Sequence, residues 1–297
     1  MTAITLLDGS IGQELVRRSG DRATPLWSTR VMIDHPGLVT EVHRDYLDAG
    51  ATILSTNTYA VHRSRLEPVG MQDRLHELLD AALAAATTAR AQAPEARIAG
   101  CLGPLMASYR PDLDAPLDLA ETRFAEIAAR MAPHVDLLLI ETVSSCNEAE
   151  GALRGTARAG RPVWIAVTVD DTDGTRLRSG EPVSDVLPLI DGRAQAVLIN
   201  CSRPEVVADA LPIIARSGLP IGAYANGFDG IADAFLAANP TVDALDQRTD
   251  LGPAAYADFA MGWVRQGATI VGGCCEIGPA HIAELARRLR ADGHSLT

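Results

Sequence analysis

The sequence predicts an α/β fold, a single closed (β/α)8 TIM barrel, and three observations carry that expectation. Short apolar runs alternate eight times with longer segments whose apolar residues recur at helical spacing, the pattern of repeated βα units. The runs are apolar on both faces, as strands covered on both sides must be, and a barrel buries every strand edge where an open sheet leaves two. No Gly/Ser/Pro-rich linker or low-complexity segment divides the 297 residues, so residues 1–297 are expected to fold as one domain.

In chain order the strands are expected at residues 4–7, 52–56, 97–102, 135–140, 163–169, 196–200, 220–224 and 269–272. Helical periodicity marks residues 36–49, 72–91, 117–131, 147–159, 204–217, 253–266 and 279–291. Five of these segments open on Pro36, Asn147, Pro204, Pro253 or Pro279, and helix starts favour such residues. The alanine-rich run at residues 81–91 reads as an ordinary packed helix. Two strand-to-helix connections are long, residues 103–116 and 226–252. The first carries Ser108, Tyr109 and Arg110, and long loops on that face of a barrel often cover active sites.

Composition excludes several chemistries. All 26 basic residues are arginine, so a Schiff-base aldolase, a pyridoxal-phosphate enzyme and a Walker-type phosphate loop each lack the lysine they need. A net charge of -12, with the arginines scattered among 38 carboxylates, argues against a nucleic-acid partner and for a small-molecule substrate. Residues 1–10 lack a basic stretch followed by an apolar one, and no apolar run approaches the roughly 20 residues a bilayer span requires. The expected setting is therefore cytoplasmic, with no membrane partner. Oligomeric state is not legible in the sequence. Five cysteines, Cys101, Cys146, Cys201, Cys274 and Cys275, make a fully paired disulfide framework unlikely and raise the question of metal or thiol chemistry.

Cys101 and Cys146 read as small buried hydrophobes, the usual fate of a free cysteine. The other three sit at the C-terminal ends of the sixth and eighth expected strands, on one rim, with Gly272 and Gly273 before two of them. Two readings of these thiols stand side by side: inert packing, and a soft three-thiolate site suited to zinc with its fourth position open, as in catalytic sites.

The run Ile270, Val271, Gly272, Gly273, Cys274, Cys275, followed by Gly278, Pro279, Ala280, His281 and Ile282, resembles the Gly-Gly-Cys-Cys signature of the zinc-dependent homocysteine S-methyltransferase family. The resemblance extends through Leu7, Asp8, Gly9 and Ser10, through Pro25, Leu26, Trp27 and Ser28, and through Val42, His43, Asp45, Tyr46, Ala49, Gly50 and Ala51. It reaches Glu141, Thr142, Asn200 and Cys201, so it covers nearly the whole expected barrel in order. It implies that Cys201, Cys274 and Cys275 bind Zn2+, through which they act catalytically, with homocysteine entering the open position as a thiolate. A free thiol is only a few per cent thiolate at pH 7, and metal coordination removes its proton.

The same resemblance places the amine of homocysteine against Asp8 and Glu141 and its carboxylate near the Gly9 backbone. Trp27 stands where a family aromatic is expected, and Asn57 and Asn200 are expected to orient neighbours. For the second substrate, a methyl donor, the short chain and residues 25–28 look most like the members that use S-methylmethionine, with S-adenosylmethionine as a substitute. Thr142 and Ala60 depart from the aromatic pattern of betaine enzymes, and low aromatic content argues the same way. A methyl-folate or corrinoid donor implies further domains for which 297 residues leave no room, and a selenol could replace the thiol acceptor. Among other classes, a barrel hydrolase lacks its histidine ligands, since none of the seven histidines forms a His-x-His pair. A Rossmann site has only Gly9 and Gly12 of its fingerprint. A zinc or thiol redox-sensing module is the non-enzymatic alternative.

Overall fold

The computed structural model describes residues 2–22, 24–236, 241 and 244–297. Nine parallel strands form one curled sheet: β1 (Ala3–Leu6), β2 (Ile53–Ser55), β3 (Arg97–Leu102), β4 (Leu137–Val143), β5 (Val163–Val167), β6 (Ala196–Asn200), β7 (Ile221–Tyr224), β8 (Ile270–Val271) and β9 (Ser295–Leu296). The order β2-β3-β4-β5-β6-β7-β8-β1-β9 follows the chain except where the last strands return to the first. The sheet curls far enough for β1 to meet β2, through a Leu7–Ile53 parallel bridge and the bond from Thr52 N to Leu6 O at 2.7 Å. All eight expected strands are present. The ninth was not expected: two residues at the C-terminus carry too little pattern to read, and they pair beside Ala3 and Ile4.

The helices are α1 (Ile11–Ser19), α2 (Ser28–Asp34), α3 (Pro36–Asp48), α4 (Arg63–Leu66), α5 (Leu75–Arg90), α6 (Leu117–Met131), α7 (Cys146–Thr156), α8 (Leu187–Ile190), α9 (Pro204–Ile214), α10 (Pro253–Arg265) and α11 (Pro279–Ala291). The seven expected helical segments appear within a few residues of their bounds. Those expected at residues 72–91 and 204–217 are shortened by 3-10 turns at Gln72–Arg74 and Ala215–Ser217. α1, α2, α4 and α8 were not anticipated, because each is too short for its periodicity to stand out. No helix among the described residues is long and apolar enough to cross a membrane.

Why the strands are apolar on both faces is visible in the packing. Leu137 and Leu139, Trp164 and Ala166, and Ala196 and Leu198 fill the inside of the curl. The alternate residues, Leu138 and Ile140, Ile165 and Val167, and Val197 and Ile199, pack outward against the helices. The period of two thus serves two cores, each buried leucine or isoleucine contributing about 1.5–3 kcal/mol. α6 and α7 lie in close contact because Gly151 and Gly155 present no side chain there; a Cβ on Gly155 would stand 2.4 Å from Phe124 Cβ.

β4 is less regular than its neighbours, and that irregularity matters. Its pairing with β5 slips between Ile140 and Val143, and Thr142 adopts a φ of 62°. A bulge of this kind re-aims the side chains beside it. The strand was expected to end at residue 140; it continues to Val143 and carries Glu141 with it.

Candidate active site

One pocket opens at the C-terminal ends of the strands, and Asp8, Gly9, Trp27, Asn57, Glu141 and the three rim cysteines all line it. Cys201 follows β6, and Cys274 and Cys275 follow β8. Their sulfur atoms lie within 4.8 Å of one another, the one cluster of its kind among the described residues that could hold a metal ion. Cys274 Sγ is 2.7 Å and Cys275 Sγ 3.7 Å from Cys201 Sγ, and none of the five cysteines is disulfide-bonded. Cys201 holds a φ of 48°, fixed by bonds from its N to Tyr224 O at 3.1 Å and from Asn226 Nδ2 to its own O at 2.9 Å.

The donor set fits a soft tetrahedral metal. Sulfurs about 2.3 Å from zinc at tetrahedral corners stand about 3.8 Å apart. The Cys201–Cys275 pair already meets that spacing, and Cys274 would have to move outward by about 1 Å. Burial pushes the Cys201 thiol up, yet hydrogen bonds from Cys274, Cys275 and Tyr109 together hold it well below its ordinary value. Tyr109 Oη donates to Cys201 Sγ at 3.0 Å, while the Arg178 guanidinium lies 4.9 Å from the Tyr109 ring centre and pairs with Asp171 at 2.8 Å. The loop carrying Ser108 and Tyr109 therefore does reach the pocket.

The two carboxylates differ from ordinary surface acids. Burial raises Asp8 to about 8, against hydrogen bonds from Ser55 N at 2.7 Å and Ser55 Oγ at 2.9 Å; the charge of Glu141 pushes the same way as burial. Burial raises Glu141 to about 7, opposed by donors on both of its oxygens: the Cys101 thiol on Oε1 and Tyr224 Oη on Oε2 at 3.0 Å. Acids this poorly solvated are built to receive a cation.

Asn200 sits behind the pocket wall. Its Oδ1 accepts from Thr142 N and its Nδ2 donates to Thr142 Oγ1, both at 3.0 Å, so it pins the bulge that presents Glu141. Asn57 Nδ2 reaches Ser28 O at 3.4 Å, tying the end of β2 to the segment after Trp27. Trp27 itself is held by Nε1 donating to Gln13 Oε1 at 2.9 Å and packs edge-on to Tyr59 with ring centres 5.8 Å apart. Gly12 leaves the space its indole needs; a Cβ there would lie 2.2 Å from the ring.

Several site residues escaped the sequence. Cys101, expected to be inert, bonds to Glu141. Tyr224 could have been found, because it ends an expected strand on the same rim. Ser55 and Arg65 gave no signal. Low aromatic content proved a poor guide: Trp27, Tyr59, Tyr109, Tyr224, Phe228 and Phe235, half of the chain's aromatic side chains, line this pocket. Cys146 behaves as expected, half-buried against the core. The histidines have packed or surface roles: burial lowers His43 to about 4 and His62 to about 3, and His281 Nε2 lies 3.1 Å from Leu251 O. Of the loop expected at residues 226–252, residues 237–240, 242 and 243 lie outside the described residues, as does Met1.

The family model described as homocysteine S-methyltransferase matches residues 5–289. The chain belongs to the homocysteine S-methyltransferase family. It is thus a member of a methyltransferase family acting on homocysteine, and its substrates are small molecules. A homocysteine S-methyltransferase of Escherichia coli K12 is 30% identical over 96% of this chain and 95% of the relative. A selenocysteine Se-methyltransferase of Brassica oleracea is 24% identical over 96% and 88%. Among solved structures, the homocysteine methyltransferase MmuM of Escherichia coli in its metallated form superposes with a TM-score of 0.81 at 28% identity, covering 97% of this chain and 96% of that one. Its oxidized form gives 0.80 over 96% of each chain.

Proposed function

We propose that this homocysteine S-methyltransferase family member moves a methyl group from a sulfonium donor, S-methylmethionine or in its place S-adenosylmethionine, to the sulfur of homocysteine. The chain works as one domain over residues 1–297, a closed (β/α)8 barrel with zinc on Cys201, Cys274 and Cys275 at the strand ends. One observation carries this reading: three convergent thiols and two burial-raised carboxylates open on a single aromatic-lined pocket. Zinc bound there supplies deprotonation of the acceptor sulfur at neutral pH.

The residues of the chain divide the remaining work. Asp8 and Glu141 take the ammonium group of homocysteine, which restores the charged form that burial disfavours. Gly9 brings backbone to the substrate carboxylate; Ile277 O and the Tyr46 ring stand so close that any side chain at this position would collide. Trp27 and Tyr59 offer ring faces to the donor cation and keep water from it. The acceptor sulfur's electron pair forms the new S–CH3 bond, the donor's C–S bond breaks, and its pair stays on the departing thioether. Five free thiols suit a reducing compartment, and we place the protein in the cytoplasm.

The test is methionine formation by reduced, zinc-loaded protein with S-methylmethionine, S-adenosylmethionine, betaine and methyl-folate in parallel. Turnover with a sulfonium donor is expected, lost together with stoichiometric zinc in Cys275→Ser. Turnover with betaine alone would overturn the donor assignment, because an aromatic lining also suits a quaternary ammonium. The Brassica relative's name makes a selenol the second acceptor to assay. Zinc loss on oxidation with no methyl transfer from any donor would favour a redox-sensing module.

A further inference from the structure

Arg65 is the one arginine lining the pocket among the described residues, and it is unlike its neighbours. Arg63, two residues earlier on α4, is forked onto Glu126, with Nε at 2.8 Å from one carboxylate oxygen and Nη2 on the other. Arg65 has no such partner among the described residues. Its Nη1 reaches only the Pro25 carbonyl, at 3.3 Å, and its Nε is shut away from solvent with nothing to bond. Burial alone pulls its proton affinity below that of an ordinary arginine. A guanidinium in such a place is costly unless an anion joins it, and planar carboxylates fit its fork.

Its position says which anion. Pro25 belongs to the segment that carries Trp27, Trp27 packs on Tyr59, and Arg65 lines the same pocket as this aromatic pair and the thiols. The acceptor's sulfur and amine are drawn to the floor, where the thiols, Asp8 and Glu141 meet. The donor's cationic centre lies over the aromatic pair, and its amino-acid end must extend outward past it. We propose that Arg65 binds the α-carboxylate of the sulfonium donor. The inference rests on the sulfonium reading above and names the group that makes the pocket select amino-acid donors.

The experiment compares wild type, Arg65→Gln and Arg65→Lys, zinc-loaded, with S-methylmethionine and with (3-aminopropyl)dimethylsulfonium, the same cation without its carboxylate. Loss of a charge-assisted, two-pronged contact is expected to raise the KM for S-methylmethionine roughly 10- to 100-fold in Arg65→Gln, with Arg65→Lys between. The KM for homocysteine should hold within about twofold, and the carboxylate-free donor should be used equally by all three proteins. Calorimetric titration of S-methylmethionine without homocysteine should show the same loss. Equal penalties on the two donors, or a raised homocysteine KM with the donor's unchanged, would overturn the assignment. Wild type that neither binds nor uses either sulfonium removes the donor reading itself, and this inference with it.

Discussion

Replacing Glu141 by Gln keeps size and shape while deleting one charge, which makes it the sharpest probe of the amine site proposed above. Cys101 still has an oxygen to donate to, and Tyr224 Oη turns to accept from the new amide, so the local packing is retained. What disappears is a charge-assisted bond to the substrate ammonium, worth about 1.5–3 kcal/mol, or roughly 10- to 150-fold in homocysteine KM. Asp8 stays as the second carboxylate, and losing the Glu141 charge eases its own ionisation, so the loss is expected toward the lower end of that range. The gap between the two proteins must also depend on pH. Burial raises Glu141 to about 7 in the empty pocket, so at pH 6 the wild type has given up most of its charge and its advantage is about tenfold below its plateau above pH 8. Stability moves the other way. A carboxyl whose proton affinity is raised by folding loses its proton first in the unfolded chain, so its contribution to stability falls as pH rises from the ordinary glutamate range and levels off above about 7. The variant should therefore be more stable than wild type by roughly 3 kcal/mol above pH 7, a gap that narrows to about 1.5 kcal/mol at pH 5.5. Initial rates against homocysteine and urea melts, each from pH 5.5 to 8.5, supply both curves. An unchanged KM, or a KM ratio flat across that range, would refute the role.

Tyr224→Phe removes the donor on Glu141 Oε2, so the acid limb of the kcat/KM profile should move up by about half to one pH unit, with zinc content unchanged. Gly12→Ala drives a Cβ into the Trp27 indole; donor KM should rise about tenfold while that of homocysteine holds, as steady-state kinetics with each substrate varied would show. Gly155→Ala wedges α6 from α7 far from the pocket and should cost about 1–3 kcal/mol in urea unfolding with kcat intact.

The α/β fold and the cluster of three rim cysteines were legible because both are written locally. A strand covered on two sides must be apolar throughout, and Val163 to Val167 or Ala196 to Ile199 could hardly be anything else. Cys274 and Cys275 announced themselves by adjacency at a strand end. Glu141 was readable as a strand-end acid, but its aim was not, because the bulge at Thr142 depends on an asparagine 58 residues away. Asn200 therefore acts on the site without touching it. Tyr224, Ser55 and Cys101 contribute through pairings across the curl that no spacing along the chain records, and Arg65 stands out only by having no acidic partner among the described residues. The aromatic lining shows the limit of composition most plainly: few rings suffice when half of them are gathered at one place.

The backbone gives an independent reason to see this rim as a working site. Among the described residues, five other than glycine have positive φ: Trp27, Tyr109, Thr142, Cys201 and Glu276. Four line the pocket and the fifth follows Cys275 directly. Each such conformation costs about 1–3 kcal/mol and survives only where surrounding contacts over-determine it. Those contacts are present for each residue: Gln13 on the Trp27 indole and on the Glu276 carboxylate, Arg178 over Tyr109, Asn200 on Thr142, and Asn226 on the Cys201 carbonyl. A fold selected for stability alone has no reason to gather its strained residues at one end and hold each with a polar side chain. A fold that must aim a thiol, a carboxylate and an aromatic wall at the same few ångströms has that reason, because a regular strand or helix end points side chains where its own geometry dictates. Gln13, Asn200 and Asn226 are thus positioning residues whose loss should be felt in the placement of Trp27, Glu141 and Cys201.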